Sequence, residues 1–135
     1  MKKSVLLIAI FSTLLFANFS RSGNIVTDHS TGLMWEDQSS IKKANWKDAI
    51  NYCENLRLDG YSNWHLPNIN ELRSIVDYDR YDPAIDPTFK NTKSSDYWTN
   101  TTVKWDSSIS WVLNFYYGNG YYHNRSGDFF VRCVR

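Results

Sequence analysis

Nine side chains in the second half of the chain, Trp105, Tyr116, Tyr117, Asn119, Tyr121, Tyr122, His123, Asn124 and Arg125, are of the types that recognise a ligand. An aromatic face supplies contact area at small entropy cost, while amides and hydroxyls satisfy the polar groups of a sugar or a peptide. Such a surface suits neutral or mildly charged ligands. The competing reading is that several of these tyrosines only cover a small β-rich core. Catalytic chemistry is less visible: the sequence has no nucleophile elbow, no HExxH helix and no glycine-rich phosphate loop. His29, His65 and His123 are scattered, and Cys53 and Cys133 lack the paired spacing and the His companions of a zinc site. The expectation is a binding surface with no catalytic residue, no metal and no cofactor.

Asp77–Pro87 carries four carboxylates and two prolines but lacks the glycine and closing Glu of an EF-hand loop. It reads as a solvated turn with Arg80 as a partial counter-charge. His29 reads as a solvated turn residue and His65 as a structural neighbour of Trp64, since neither has a nucleophile or carboxylate constellation in its motif.

The N-terminus has the three parts of a secretory leader: Lys2 and Lys3, the apolar run Val5–Phe16, and a small residue, Ala17. The run is too short to span a bilayer. Residues 1–17 are therefore expected to be a signal peptide and 18–135 a single exported domain, periplasmic or secreted and without a lipid-modified cysteine. Removing Lys2 and Lys3 leaves 13 of the 15 basic residues against 14 acidic ones, a net charge of −1. That balance excludes the basic field of a nucleic-acid binder and the polybasic stripe of a membrane-surface protein. An even cysteine count in an oxidising compartment favours one disulfide, with two unpaired buried thiols as the alternative. Closing the 79 residues between the cysteines would stabilise the fold by about 4 kcal/mol in the chain-entropy model.

The elements that must position the aromatic residues follow from periodicity. Asn24–Glu36 reads as a β-hairpin with Gly32 at a positive-φ position, and Asp37–Ala44 as a polar loop. Trp46, Ala49, Ile50, Cys53 and Leu56 share one face of a helix that Asn45 caps. A capping box of Asn68 and Glu71 predicts a second helix running through Ile69, Leu72, Ile75 and Val76. Tyr97–Val103 and Trp111–Tyr117 read as strands separated by a loop at Lys104–Ser110. Trp111, Leu113, Phe115 and Tyr117 form the expected core face of the second. Gly118–Gly120 breaks that strand, and Asp128–Val134 resumes the sheet with Phe129, Val131 and Cys133 on one side. Tyr116–Asp128 is thus expected to be a displayed loop.

These motifs also resemble a known family. Val26-Thr27-Asp28 with Thr31-Gly32-Leu33-Met34-Trp35 comes first, and then Trp46 with Ala49-Ile50-Asn51-Tyr52-Cys53. Gly60-Tyr61-Ser62-Asn63-Trp64 with Leu66-Pro67-Asn68 and Glu71-Leu72 follows, then Tyr97-Trp98-Thr99 and the terminal Val131-Arg132-Cys133-Val134-Arg135. In this order, over Asn24–Arg135, they are similar to the Lcl C-terminal domain family, named after a bacterial collagen-like adhesin. The resemblance implies an α+β, C-type lectin-like fold: two helices packed on antiparallel β-hairpins, with a helix cysteine bridged to the last strand, here Cys53 with Cys133. It also implies adhesion and binding of sulfated polysaccharides. Some related domains diversify their binding residues in the segment that here is Tyr116–Asp128.

The chain departs from these relatives in three respects. No collagen-like repeat accompanies the domain, and none of the Glu-Pro-Asn, Gln-Pro-Asp or Trp-Asn-Asp strings of calcium-dependent lectins occurs. Lys104, Arg125, Arg132 and Arg135 are a thin basic supply for a sulfated ligand. The fold also resembles that of formylglycine-generating enzymes, but a cysteine pair that joins helix to strand would be withheld from copper and redox chemistry. The leading expectation is a non-catalytic domain that binds a glycan or a surface protein. An envelope domain docking a partner chain is the second, and a formylglycine-generating-type redox enzyme the weakest. The sequence sets no oligomeric state.

Overall fold

The computed structural model describes residues 4–5 and 18–135, so all but two residues of the expected leader lie outside the described residues. Within 18–135 the elements are β1 (Phe19–Ser22), β2 (Ile25–Asp28), β3 (Met34–Glu36), β4 (Lys42–Ala44), α1 (Trp46–Asn55), α2 (Ile69–Arg73), β5 (Asp96–Val103), β6 (Asp106–Asn114), β7 (Asn119–Asn124) and β8 (Phe129–Val131). The first hairpin forms as its turn residues dictate: Gly32 adopts φ 75° and its N–H donates to the Asp28 carbonyl. Strand β1, which its polar composition hides, pairs with β2 and makes a three-stranded sheet.

The second sheet has the order β4-β8-β5-β6-β7. Strand β8 lies antiparallel to β4 but parallel to β5, so the expected purely antiparallel arrangement is corrected to a mixed sheet. Where β5 and β6 run side by side the sheet is buried on both faces, which overrides the one-core-face reading of these strands. Tyr97 and Trp98 are adjacent on β5 and both buried, yet they enter different apolar clusters, as do Val112 and Leu113 on β6.

Each cluster receives one helix. Helix α1 buries Ala49 and Cys53 in the first cluster; Asn45 caps it by accepting from the Asp48 N–H at 2.9 Å. Helix α2 buries Leu72 in the second cluster behind a complete capping box: Asn68 accepts from the Glu71 N–H at 2.7 Å, and Glu71 from the Asn68 N–H at 2.9 Å. It stops at Arg73, short of the predicted end, where the Ser74 hydroxyl donates to the Glu71 carbonyl; Ile75 stays buried in the following turn.

Cys53 and Cys133 are disulfide-bonded with Cα atoms 5.4 Å apart, tying α1 to the segment after β8. Beside the bond lies a polar core that the sequence reading placed in a loop. The Asp37 side chain is fully buried and pairs with Arg132 at 3.0 Å and with Arg21. It also accepts from the backbone N–H groups of Lys90 at 2.8 Å and Asn91 at 3.1 Å. The other Arg132 nitrogen donates to the Asn91 carbonyl and the Thr92 hydroxyl, both at 2.8 Å. Burial alone would raise the Asp37 carboxyl. The Arg132 charge, the Lys90 amide and the two guanidinium hydrogen bonds outweigh it and hold the group below the ordinary carboxylate range. Next to this pair, Glu36 accepts from the Cys133 N–H and the Tyr52 hydroxyl. Burial and the Glu36 charge push the Tyr52 hydroxyl well above its usual value.

Candidate functional site

The β6–β7 hairpin holds most of the predicted ligand residues, and its geometry starts from Gly118. This residue has φ 85° and donates its N–H to the Asn114 carbonyl at 2.8 Å; a Cβ there would meet Val76 Cγ1 at 2.3 Å. Only glycine fits both constraints. After it the chain forms strand β7, where a loop was expected. The displayed-loop reading is therefore corrected: Asn119–Asn124 pairs with β6 from Asn114↔Asn119 to Ile109↔Asn124. Its burial pattern runs exposed and intermediate throughout, so no apolar alternation marks it as a strand. Likewise Lys104–Ser110 is mostly strand, with Asp106 already paired to Val103 and only Lys104 and Trp105 left in the turn.

Strand β7 is an outer edge of its sheet. Arg125 donates its N–H to the Ser108 carbonyl at 3.0 Å, which fixes the alternation of the ladder. Asn119, Tyr121 and His123 therefore face β6 with their backbone groups, and Gly120, Tyr122 and Asn124 turn theirs to the open edge. The Asn124 carbonyl is taken by the Gly127 N–H at 3.1 Å. The unpaired edge is thus centred on Gly120 and Tyr122.

Three aromatic groups surround this edge. Trp105, Trp111 and Tyr122 meet mutually edge to face with centroids 5.6–6.1 Å apart. Tyr121 packs against Tyr122 at 5.3 Å and His123 at 5.5 Å, and His123 stacks on Phe129 at 4.2 Å. Tyr116 and Tyr117 meet Tyr81 at 6.5 and 6.3 Å. Trp105, Tyr117 and Tyr121 are 67, 65 and 55 % exposed. Tyr117 was expected in the core; β6 ends at Asn114, so its ring lies outside.

The remaining predicted residues are held by the protein itself. His123 Nε2 lies 2.9 Å from an Asp96 carboxylate oxygen, and the other Asp96 oxygen accepts from the Asn114 amide at 2.9 Å. Asn124 accepts from the Ser126 N–H and hydroxyl and closes the turn after β7. Arg125 donates to Ser110 and Thr102 and lies over the Trp46 ring at 3.6 Å. Asn119 is exposed at the start of the strand. Of the basic residues counted as a sulfate-binding supply, Arg132 is buried against Asp37, and Arg135 donates to the Ser62 carbonyl and covers the Tyr61 ring. His29 contacts the Ser20 hydroxyl and His65 the Glu71 carboxylate, so each histidine has its own separate partner. Among the described residues no three His, Cys, Asp or Glu side chains converge as a metal set.

Sequence reasoning missed Tyr78 and Tyr81, 68 and 70 % exposed, which join this surface from the Asp-rich turn. Their signal was in the composition: two tyrosines recur in a turn whose other residues are charged. Trp111 was assigned to the core alone and instead supports Trp105 and Tyr122.

The family model of the Lcl C-terminal domain matches residues 24–135, nearly the whole chain. The chain belongs to the Lcl C-terminal domain family. No curated protein matches it. Within this Lcl C-terminal domain, Tyr116–Asp128 forms strand β7 and its flanking turns, and β8 separates it from the terminal Arg-Cys-Val-Arg. Among the described residues no helix is long and apolar enough to cross a membrane.

Proposed function

We propose that this Lcl C-terminal domain is an exported, non-catalytic module of C-type lectin-like fold that recognises a glycan or a surface protein at the β7 edge, in an adhesive role. One observation carries the reading: Tyr121 and Tyr122 on the paired strand β7, with Trp105 and Tyr117 in the turns at either end of β6, keep large exposed ring surfaces. Rings held by a sheet present contact area at little further ordering cost. The ligand is neutral or weakly charged, because Arg125, Arg132 and Arg135 already have internal partners. A non-catalytic role is supported by the disulfide between Cys53 and Cys133, which leaves neither thiol for redox chemistry. A glycan and surface-protein array probed with the purified protein tests this, with saturable binding to a defined ligand class as the expected result. An array without any saturable hit contradicts it.

A second reading rests on the free backbone groups of Gly120 and Tyr122, which would accept a strand from a partner chain. In that case the Gly120 and Tyr122 amides become protected from hydrogen exchange when envelope extract is added. Exchange that stays fast rules out strand addition.

A further inference from the structure

A second recess lies across Tyr81 from the β7 surface, in the segment between Asp79 and Thr92, with a cavity volume of about 540 Å³. That is within the range of roughly 300–1,000 Å³ typical of small-molecule pockets. None of the nine residues predicted from the sequence lines it. Its apolar part is Pro83, Pro87, the buried Ile85 and Phe89, and Tyr81, which is 70 % exposed. Two carboxylates, Asp79 and Asp82, and two cations, Arg80 and Lys90, also line it. Arg80 is paired with Asp77 at 3.2 Å. Among the described residues the side chains of Asp79, Asp82 and Lys90 have no protein partner within an ion pair or hydrogen bond.

The walls are fixed. On one side the Asp82 N–H donates to the Tyr116 carbonyl at 2.8 Å and the Ala84 N–H to the Phe115 carbonyl at 2.7 Å, which pins this wall to the end of β6. On the other, the Lys90 and Asn91 N–H groups are held by the buried Asp37 carboxylate. A recess anchored to a strand end and to a buried ion pair needs little reorganisation to receive a ligand.

We infer that this recess binds a neutral saccharide, with one ring stacked on Tyr81 and its hydroxyls held by Asp82, Asp79 and Lys90. The charge balance selects the class. A cation is drawn to the two carboxylates and repelled by Arg80 and Lys90, and an anion meets the converse. A hydroxyl both donates and accepts, so adjacent hydroxyls satisfy acceptor-only carboxylates and a donor-only ammonium together. The C–H face of a sugar ring supplies the apolar surface that an exposed tyrosine matches. This site does not depend on the β7 reading. The two surfaces adjoin through Tyr81 and Tyr117.

The experiment is an amide chemical-shift titration of the full protein with neutral cello-, chito-, manno- and galacto-oligosaccharides, with choline and a lysyl peptide as cationic comparisons. At least one sugar is expected to give saturable shifts at Tyr81–Lys90. Tyr81→Ala and Asp82→Asn should each weaken that binding at least tenfold. Asn tolerates the positive φ of 52° at position 82 and keeps the backbone in place. Trp105→Ala and Tyr122→Ala should leave these shifts unchanged, so a failed β7 surface is told apart from a failed recess. The inference is overturned if no sugar shifts Tyr81–Lys90 at millimolar concentration. It is equally overturned if Tyr81→Ala, with its spectrum otherwise intact, binds as well as the parent, or if only choline or the lysyl peptide shifts these residues.

Discussion

The tail Arg132–Arg135 and strand β7 are near neighbours in sequence, yet they leave their interaction groups in opposite states. In the tail almost every polar group has an internal partner: Arg132 holds Asp37, the Cys133 N–H donates to Glu36, and the Val134 N–H donates to the His65 carbonyl. Along β7 the backbone of Gly120 and Tyr122 and the rings of Tyr121 and Tyr122 are left over after folding. The lesson is that residue type does not mark a binding surface here. What marks it is interaction capacity that the fold leaves free, and Arg125 and Arg132 fail that test while Trp105 passes it.

The contrast is sharpest where a substitution should be most damaging. Asp37→Ala strands the buried Arg132 guanidinium and frees the Lys90 and Asn91 amides, so urea denaturation should show a loss of about 5 kcal/mol, the upper part of the range for breaking a buried pair. A loss below about 1 kcal/mol would break the distinction between tail and edge. Replacing both cysteines by alanine should cost about 4 kcal/mol. The midpoint of unfolding, measured against the reduced parent, separates the loss of the bond from the loss of the thiols.

Acid sharpens the same comparison with a smaller effect. A carboxylate whose folded-state pKa is depressed contributes stability that is fully present above its unfolded value, about 3.9, and is lost as pH falls through the lower folded value. The parent should therefore lose stability below about pH 4, and Asp37→Asn should show a shallower dependence over that window. An identical pH profile for the two proteins would show that Asp37 is not the group responsible. At the small end, Tyr122→Ala removes edge-to-face contacts with Trp105 and Trp111 and should cost no more than about 1.5 kcal/mol, read as a shift of the denaturation midpoint.

Much of the scaffold was legible in the sequence because local rules decide it. Asn45 and the Asn68–Glu71 box set both helix starts, Gly32 sets the first hairpin turn, and the two cysteines allow one pairing. The misses have two physical causes. Strand β7 is an edge strand with both faces partly open, so it has no period-two apolar pattern and its tyrosines resembled a loop. Asp37 and Arg132 lie 95 positions apart, and a buried pair at that separation has no local signature; Asp37 was read as part of a polar loop and Arg132 as part of a basic supply for a sulfated ligand. The candidate site was found by composition within β6–β7, but its share from Tyr81 depends on tertiary contacts with Tyr116 and Tyr117 that no local pattern reveals.

The most direct test of the account is the affinity of the Trp105→Ala/Tyr121→Ala/Tyr122→Ala variant for the ligand that the array selects, measured beside its urea denaturation. Removing the leftover rings should weaken binding at least tenfold while the variant still unfolds in one cooperative transition. Unchanged affinity in a folded variant would contradict the assignment of the β7 edge as the recognition surface.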